Sequence, residues 1–341
     1  MSNKSVLVTG GAGFIGSNFL NYVVEKYPET SFVCLDSVTY AGDVENLNKI
    51  RKAKNFTFVH GDICDRSLVE RVFHHYYIHD VIHFAAESHV DNSITNPDVF
   101  IETNVKGTFT LLDVAYKKWM QKPFESKTEF EKSRFLHVST DEVYGSLGKT
   151  GLFTEETPYA PNSPYSASKA SSDFIVRSYF HTYGMNTVIT NCSNNYGPFQ
   201  HDEKLIPTVI RKALNEENIP IYGDGKNIRD WLYVLDHCVG IEKAFNEGKA
   251  GEVYNIGGKN ERDNNYIATK ICEILDELKP LPSKSYKDLI TYVEDRAGHD
   301  FRYAIDASKI ENELNWEAQE NFESGILKTV QWYVNKYSNK K

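Results

Sequence analysis

The stretch VLVTGGAGFIGSNFL, residues 6–20, joins a short apolar run to an amphipathic run through Gly10, Gly13 and Gly16. An apolar run followed directly by glycines at this spacing predicts a strand that turns sharply into a helix. Without side chains the turn can close and a pyrophosphate can approach the backbone, while the helix N-terminus favours negative charge. The stretch therefore predicts the first βα turn of a dinucleotide-binding fold.

A carboxylate at the right distance strengthens this prediction. Asp36 ends the next apolar run, twenty residues after Gly16, where it would accept hydrogen bonds from a ribose diol. Because the same charge repels a 2′-phosphate, we expect NAD rather than NADP. The alternative, a glycine-rich turn with a purely structural role, is disfavoured by this context. Asp62 follows the third apolar run and is predicted either to meet the adenine or to cap a helix.

The same pattern of short apolar runs and longer amphipathic stretches continues over the first two-thirds of the chain, which is typical of βαβ units around a parallel sheet. The predicted strands are 5–9, 31–35, 56–59, 81–85, 134–138, 187–191 and 252–256. The predicted helices are 15–27, 66–77, 98–119, 165–183 and 235–247, then 204–216, 264–278, 307–314 and 322–338 in a smaller part. The charged segment 121–134 is interpreted as a solvated excursion. The predicted class is α/β, a Rossmann-type doubly wound parallel sheet with a smaller C-terminal domain.

Composition excludes several classes of protein. The 341 residues are 40% hydrophobic and 25% charged, which are ordinary globular values, and a net charge of -9 disfavours a nucleic-acid-binding face. The longest apolar runs fall short of the ~20 residues of a membrane-spanning helix. A strand that starts at Ser5 leaves no room for a signal peptide, so we expect a cytoplasmic protein. Five scattered cysteines without CxxC spacing are expected to be reduced and not to bind metal.

Two residues one helical turn apart suggest a catalytic base. Tyr165 and Lys169 would share one face of the predicted helix 165–183. Because free tyrosine has a pKa near ~10, it needs help to act as a base at neutral pH. A nearby ammonium and a cationic cofactor ring would lower the pKa of Tyr165. The alternative is a packed tyrosine beside a solvated lysine.

The stretch FLHVSTDEVYGS, residues 135–146, places two acids where a buried strand emerges. Thr140, Asp141 and Glu142 follow the apolar run directly. The simplest interpretation is that one acid only caps a turn. His83 and His137 lie inside apolar strands and are interpreted as core residues with satisfied hydrogen bonds.

These residues, together with the motifs STDEVYG, YSASKASSD, NCSNNYGP, KLIP, IRDWLYV and DRAGHDFRYAID, resemble the extended short-chain dehydrogenase/reductase family, whose members act on nucleotide sugars. The motifs span about residues 4–335 and are most similar to those of its dehydratases. The resemblance implies tightly held NAD, a nucleotide-sugar substrate and a homodimer formed through the helices near 98–119 and 165–183. It also divides the chain into an NAD-binding Rossmann domain, residues 1–193 plus 232–258, and a nucleotide-sugar-binding domain, residues 194–231 plus 259–341. One departure is Ala297, where the family commonly has proline.

The resemblance also implies a role for each acid. Tyr165 would take the proton of the hydroxyl at carbon 4 of a hexose while NAD takes the hydride, with Thr140 bonded to the same oxygen. The resulting ketone would make the hydrogen on carbon 5 acidic. Glu142 would remove that proton, and a protonated Asp141 would donate to the departing hydroxyl at carbon 6. A neutral Asp141 needs a raised pKa, which burial and the charge of Glu142 would both favour.

By the same resemblance the remaining site residues follow. The cofactor-binding set is Gly10, Gly13, Phe14, Ile15, Gly16, Asp36, Ser37, Thr39, Asp62, Ile63, Ala85, Ala86, Ser88, Thr103, Tyr165, Lys169 and Asn195. The substrate-binding set is Ser88, Thr140, Asn194, Lys204, Leu205, Pro220, Tyr222, Arg229, Asn264, Arg296 and His299. The two arginines can meet diphosphate oxygens with a planar fork, although surface charge is an equal alternative for each.

Two other functions stay open at this point. An epimerase or a decarboxylase of the same family would share Tyr165 and Lys169, but related epimerases carry small uncharged residues at positions 141 and 142, and related decarboxylases typically keep only the glutamate. A non-catalytic cofactor-binding regulator is also compatible with the fold, because fold does not dictate function. Such a regulator has no need of Tyr165, Lys169, Thr140, Asp141 and Glu142.

Overall fold

A computed structural model describes residues 4–295 and 299–338. The strands are β1 Ser5–Thr9, β2 Ser31–Asp36, β3 Phe56–His60, β4 Asp80–His83, β5 Met120–Lys122, β6 Glu125–Ser126, β7 Phe135–Thr140, β8 Thr187–Cys192, β9 Asn194–Tyr196, β10 Ile219–Tyr222, β11 Ile228–Tyr233, β12 Val253–Ile256, β13 Glu261–Asp263, β14 Ile290–Val293 and β15 Arg302–Tyr303. The α-helices are α1 Phe14–Lys26, α2 Arg66–His75, α3 Val90–Thr95, α4 Pro97–Phe100, α5 Thr108–Trp119, α6 Pro164–Tyr183, α7 Leu205–Leu214, α8 Val234–Glu247, α9 Asn264–Leu278, α10 Ser308–Leu314 and α11 Phe322–Ser338. Among these helices, none has the length and apolar character that a membrane crossing requires.

Seven strands form one parallel sheet in the order β12-β8-β7-β4-β1-β2-β3. All seven strands predicted from the sequence lie in it, so the prediction of a Rossmann-type doubly wound sheet is confirmed. The chain winds one way from β1 and then the other way from β4. The crevice at this reversal, beyond the carboxyl ends of β1 and β4, is where such sheets bind ligands. β4 ends at His83, earlier than predicted, because Phe84 and Ala85 leave the sheet to line that crevice.

The predicted helix 98–119 is not continuous. Residues Ile101–Gly107 form a π-helical segment between α4 and α5. Within it the Asn104 amide accepts from the Glu87 N–H at 2.8 Å, and donates to the Glu87 carbonyl at 3.0 Å and to Ser168 Oγ at 2.8 Å. These three bonds fasten the loop after β4 and helix α6 to the segment. Single π-turns of this kind are frequent at functional sites.

The interpretation of 121–134 as a solvated excursion is wrong in part. β5 and β6 pair as a short antiparallel hairpin, and the Phe130 ring beyond it is buried against Tyr77 with centroids 5.5 Å apart. The rest of the segment is mostly exposed, as predicted: residues 121–125, 128–129 and 131–132 all face solvent, with Phe124 at the hairpin tip. The burial of Phe130 could not be recognised in the sequence, because charged residues surround it.

A second apolar core lies beside the sheet and is formed mainly by α7, α9, α11 and β11. β11 joins the two cores, because Leu232 packs in the core of the sheet while Trp231 and Tyr233 pack in the second. Around β11 run β9 and β15, parallel to it, and β13, antiparallel, whereas β10 pairs with β14. These short strands were not predicted. The domain boundaries proposed from the sequence stay a prediction.

Candidate active site

A cavity of about 440 Å³ follows the carboxyl ends of the central strands. Every residue of the predicted cofactor-binding set lies in its wall, and so do all five predicted catalytic residues. Of the predicted substrate-binding set, the wall includes Ser88, Thr140, Asn194 and Lys204, whereas Leu205, Pro220, Tyr222, Arg229, Asn264 and His299 lie outside it. Arg296 and the departing Ala297 fall outside the described residues.

The glycine turn is shaped by close backbone packing. Gly10 has a φ of +71°, and a Cβ there would stand 2.5 Å from the Ala85 nitrogen. A Cβ on Gly16 would stand 2.3 Å from the Gly10 carbonyl oxygen. Helix α1 then begins after Gly13 with no side-chain cap and no acidic residue in its first turn. This uncapped N-terminus in the cavity wall fits a pyrophosphate, which would supply the missing acceptors.

Asp36 is held at the end of β2 by two backbone donors. Its Oδ2 accepts from the Ala12 N–H at 2.8 Å and its Oδ1 from the Val38 N–H at 2.7 Å. Each carboxylate oxygen can accept a further bond, so the side chain keeps capacity for a ribose diol. Asp62 also lies in the wall, and the alternative prediction of a helix cap is wrong, since Asp65 caps α2 instead. The residues present therefore fit NAD.

The catalytic residues are placed by a strand end and a helix start. After β7 the chain makes one 3₁₀ turn, in which Thr140 Oγ1 accepts from the Glu142 N–H at 3.3 Å. A capping box between Ser163 and Ser166 starts α6, so that Tyr165 occupies its first turn. Strand end and helix start thus bring Thr140 and Tyr165 to one wall of the cavity.

The pKa of Tyr165 departs from the prediction. Burial raises it well above its ordinary value and the charge of Glu142 adds to this, while a hydrogen bond with Thr140 lowers it. Lys169, expected to lower this pKa, donates from Nζ to the Val138 carbonyl at 2.8 Å, and burial lowers its own pKa to about 8. The lowered tyrosine pKa that the sequence predicts is not found in the protein alone, because burial and the charge of Glu142 both raise it.

The two acids have different surroundings. Asp141 is almost fully buried, and its pKa is raised well above the ordinary value, first by burial and then by the charges of Glu142 and Asp230. Its Oδ2 has no hydrogen-bond partner among the described residues. Glu142 is partly exposed in the cavity wall. Neighbouring carboxyl groups in such different surroundings are suited to act as acid and base.

The two strand histidines also differ. His83 is satisfied as predicted, with Thr9 Oγ1 2.7 Å from its Nδ1 and Thr108 Oγ1 2.9 Å from its Nε2. His137 has Lys169 Nζ 3.4 Å from its Nε2, while its Nδ1 has no partner among the described residues. The prediction of a satisfied core residue is therefore wrong for one nitrogen of His137.

Arg229 is not a surface charge, so that alternative is wrong. Its side chain is buried, donates to the Ile228 and Asp300 carbonyl oxygens at 2.8 and 3.0 Å, and lies over the Tyr303 ring at 4.3 Å. Its charge lowers the pKa of Asp141, which places it within electrostatic reach of the acid pair. The other predicted substrate residues outside the wall lie in the second part of the fold: Leu205 starts α7, Pro220 and Tyr222 lie on β10, Asn264 starts α9, and His299 precedes β15.

Sequence reasoning missed part of the wall. The missed residues are Leu35, Ala41, Gly42, Gly61, Phe84, Glu87, Val99, Val138, Ser139, Cys192, Ser193, Gln200, His201 and Glu203. Several directly adjoin predicted residues, as Glu87 adjoins Ser88 and Glu203 adjoins Lys204, and this adjacency was the available clue. Lys204 Nζ donates to the Ser88 carbonyl at 3.0 Å, which joins the two loops that carry them. Within the described ranges, no three His, Cys, Asp or Glu side chains are grouped to hold a metal ion.

Comparison with known proteins gives consistent matches over nearly the whole chain. A family model described as GDP-mannose 4,6 dehydratase matches residues 7–329. The dTDP-glucose 4,6-dehydratase of Salmonella typhimurium is 53% identical over 338 residues, covering 96% of this chain and 92% of that protein. The crystal structure of dTDP-glucose 4,6-dehydratase from Streptomyces venezuelae with NAD and TYD bound matches with a TM-score of 0.88 and 44% identity, covering 98% of each chain. The corresponding enzyme of Bacillus anthracis in complex with NAD matches with a TM-score of 0.85 and 45% identity, also over 98% of each.

Proposed function

The chain belongs to the nucleotide-sugar 4,6-dehydratase family, and we propose that it converts dTDP-glucose to dTDP-4-keto-6-deoxyglucose as an NAD-dependent hydro-lyase. The observation that carries the proposal is the adjacent pair Asp141 and Glu142 at the cavity wall, one buried with a strongly raised pKa and the other partly exposed. Dehydration needs one acid and one base on neighbouring carbons. An epimerase or a decarboxylase has no use for both.

The first step is proton removal by Tyr165. In the proposed complex its Oη accepts the proton of the hydroxyl at carbon 4, and Thr140 Oγ1 hydrogen-bonds the same oxygen. NAD, held by the glycine turn and by Asp36, accepts the hydride from carbon 4, returns it later to carbon 6, and favours the Tyr165 phenolate through its positive ring. Burial of Tyr165 raises its pKa, so the phenolate depends on such positive charge.

The second step uses the two acids. With carbon 4 oxidised, the hydrogen on carbon 5 becomes acidic, and Glu142 removes it. Asp141 donates its proton to the hydroxyl leaving carbon 6, which departs as water. Glu142 then returns a proton to carbon 5. At the end Tyr165 holds one proton more and Asp141 one fewer than at the start, so one proton must pass from Tyr165 to Asp141, through solvent or directly, before the next turnover.

Mass analysis of the product tests this function. The protein is incubated with dTDP-glucose in deuterated water, and the hexose product is weighed. We expect the loss of one water and the gain of one deuterium, because carbon 5 exchanges with solvent. A product of unchanged composition would identify an epimerase and refute the proposal.

A homodimer is the second part of the proposal. Ile101 and Phe109, eight residues apart on the helical stretch before and within α5, expose large apolar side chains, as does Phe174 on the neighbouring helix α6. Apolar side chains in this arrangement suit an isologous interface between two copies. Phe174→Glu is expected to yield a monomer in light scattering, while Leu278→Glu, a similar change elsewhere, leaves the assembly unchanged. Monomeric wild-type protein would refute the dimer.

A cytoplasmic location is the third part of the proposal. All five cysteines are free thiols, and four of them are buried. Free thiols without disulfides are typical of a reducing compartment. Cell fractionation with an antibody against the native protein tests this location, and recovery from an oxidising compartment would contradict it.

A further inference from the structure

Behind the cavity wall, three buried ionisable side chains lie in one row. His137 Nε2, on β7, stands 3.4 Å from Lys169 Nζ and 3.2 Å from Asp173 Oδ1. Lys169 and Asp173 lie one turn apart on α6, so the helix sets their separation. All three side chains are buried, and Lys169 alone lines the cavity. The row therefore connects the cavity to the interior between α6 and the sheet.

One oxygen of Asp173 is well hydrogen-bonded, whereas its other oxygen and one nitrogen of His137 are not. Asp173 Oδ2 accepts from Ser139 Oγ and from Tyr159 Oη, both at 2.9 Å. Asp173 Oδ1, although close to His137, makes no hydrogen bond of good geometry, and His137 Nδ1 has no partner among the described residues. Buried polar atoms left unsatisfied in this way are rare and call for a functional explanation.

The charges in the row depend on one another. Burial lowers the pKa of Lys169 to about 8, and the charge of Asp173 is the leading influence that opposes it. Burial likewise raises the pKa of Asp173 to about 7, against the charge of Lys169. Burial and the charge of Lys169 together lower the pKa of His137, which is therefore neutral. The other ionisable groups that contact or influence these three are His83, Tyr144, Tyr159 and Cys192, while Glu142 and Tyr165 share the cavity wall with Lys169.

We propose that Asp173, acting with His137, is a positioning residue that keeps the Lys169 side chain charged and in place one helical turn from Tyr165. The inference rests on the proposed function, because it concerns the proton that Tyr165 takes from the sugar. The direct partners of Lys169 Nζ are the Val138 carbonyl and His137, neither of which carries a negative charge. An ammonium this buried needs a counter-charge to stay protonated. Asp173 supplies that charge.

Asp173→Asn separates this role from a purely structural one. The amide keeps the shape of the side chain but removes the charge, so Lys169 loses its proton more readily and the Tyr165 phenolate is less favoured. We expect the acidic limb of the pH profile for single-turnover NAD reduction to move up by about one pH unit and the rate at neutral pH to fall about tenfold. Binding of NAD and sugar is expected to stay within about twofold of wild type. A slower rate with an unmoved limb would overturn the proposal.

Two matched changes control the experiment. Tyr159→Phe removes one hydrogen bond that lowers the pKa of the Asp173 carboxylate, so Asp173 loses its charge more readily and the acidic limb should move in the same direction as in Asp173→Asn, but by less. Asp173→Glu keeps a negative charge at this position, so the acidic limb of its pH profile should lie closer to that of wild type than the limb of Asp173→Asn does. If Asp173→Asn does not fold, Tyr159→Phe and Asp173→Glu still decide the matter, because loss of activity in both with no change in either profile would indicate a structural role.

A double-mutant cycle tests whether Asp173 acts through Lys169. In a Lys169→Met background, Asp173→Asn should add no further loss of the oxidation rate. An additive loss would show that Asp173 acts elsewhere and would overturn the inference.

Wild-type turnover of dTDP-glucose is measured first: with turnover present, an unshifted Asp173→Asn profile defeats this inference alone. With no wild-type turnover the proposed function fails, and Asp173 has no proton transfer to serve.

Discussion

The two sides of the cavity are built in different ways. On the cofactor side many wall residues lie at or just beyond the end of a sheet strand: Gly10 follows β1, Asp36 ends β2, and Ala85 lies two residues beyond β4. On the sugar side the predicted residues come from separate elements, several of them beyond the cavity wall, with Arg229 on β11 and Asn264 at the start of α9. The cofactor side is built largely at one edge of the sheet, whereas the sugar side is built from elements that are distant in sequence.

The difference concerns what holds each residue in place. A turn such as Gly10–Gly16 is set by short-range backbone geometry, so the spacing of residue types in the sequence records it. Arg229 is set by long-range contacts with Asp300 and Tyr303, which no local pattern records. We therefore expect changes on the cofactor side to affect NAD binding, changes on the sugar side to affect KM for the sugar, and changes where the sides meet to affect the chemistry itself.

The largest effect is expected where the two sides meet, at Tyr165. Tyr165→Phe keeps the ring and removes the oxygen that we propose takes the proton from the hydroxyl at carbon 4. NAD reduction in a single turnover should fall by about a hundredfold to ten-thousandfold. Calorimetry should show NAD and sugar affinities near wild type, because the ring still fills its buried place. Normal turnover of this variant would contradict the role of Tyr165 as the base, since another group would then take the proton.

The acid pair should show the next largest effect and separates two steps. Glu142→Gln is expected to oxidise carbon 4 normally, to lose deuterium uptake at carbon 5, and to eliminate water at least about a hundredfold more slowly. Asp141→Asn is the matched change on the neighbouring residue, and should slow water loss while exchange at carbon 5 persists. Mass analysis after one turnover distinguishes the two patterns. If exchange survives in Glu142→Gln, another residue is the base.

These contrasts also show how far the sequence could predict the molecule. All seven sheet strands follow from local patterns of apolar runs. Glycine spacing and strand-end position likewise predict Gly10, Gly13, Gly16 and Asp36 in the cavity wall, whereas most of the cofactor-binding set came from the family resemblance. The π-helical segment Ile101–Gly107 could not be predicted, because it depends on the bonds of Asn104 with Glu87 and Ser168. Helical spacing alone gives no indication of such a partner.

The chemistry of the site was predicted unevenly for the same reason. The raised pKa of Asp141 could be predicted, because its neighbour Glu142 is adjacent in sequence and burial acts in the same direction. The pKa of Tyr165 could not, because the depth of its burial and the bond from Lys169 Nζ to the Val138 carbonyl are tertiary features. His137 was misjudged likewise, since its relation to Lys169 arises only when α6 packs on the sheet.

Gly16→Ala probes the cofactor side with an intermediate effect. The added Cβ would meet the Gly10 carbonyl oxygen at 2.3 Å and force the turn open. We expect the Kd for NAD to rise about tenfold to a hundredfold, measured by fluorescence titration, since the pyrophosphate loses its fitted backbone. Gly148→Ala is the control, because a Cβ there meets nothing within 4 Å. Equal NAD binding by both variants would contradict a cofactor role for the turn.

Arg229→Lys probes the sugar side and should give the smallest effect. Lysine keeps the charge but loses the planar fork and the stacking on Tyr303, so the KM for the sugar should rise about tenfold while the Kd for NAD stays unchanged. Arg262, paired opposite Arg229 across β13 and β11, offers the matched control, and Arg262→Lys should leave both constants near wild type. Steady-state kinetics at saturating NAD measures the first constant. If Arg229→Lys weakens NAD binding as much as sugar binding, the cofactor side and the sugar side are not separable, and the structural distinction between them has no functional consequence.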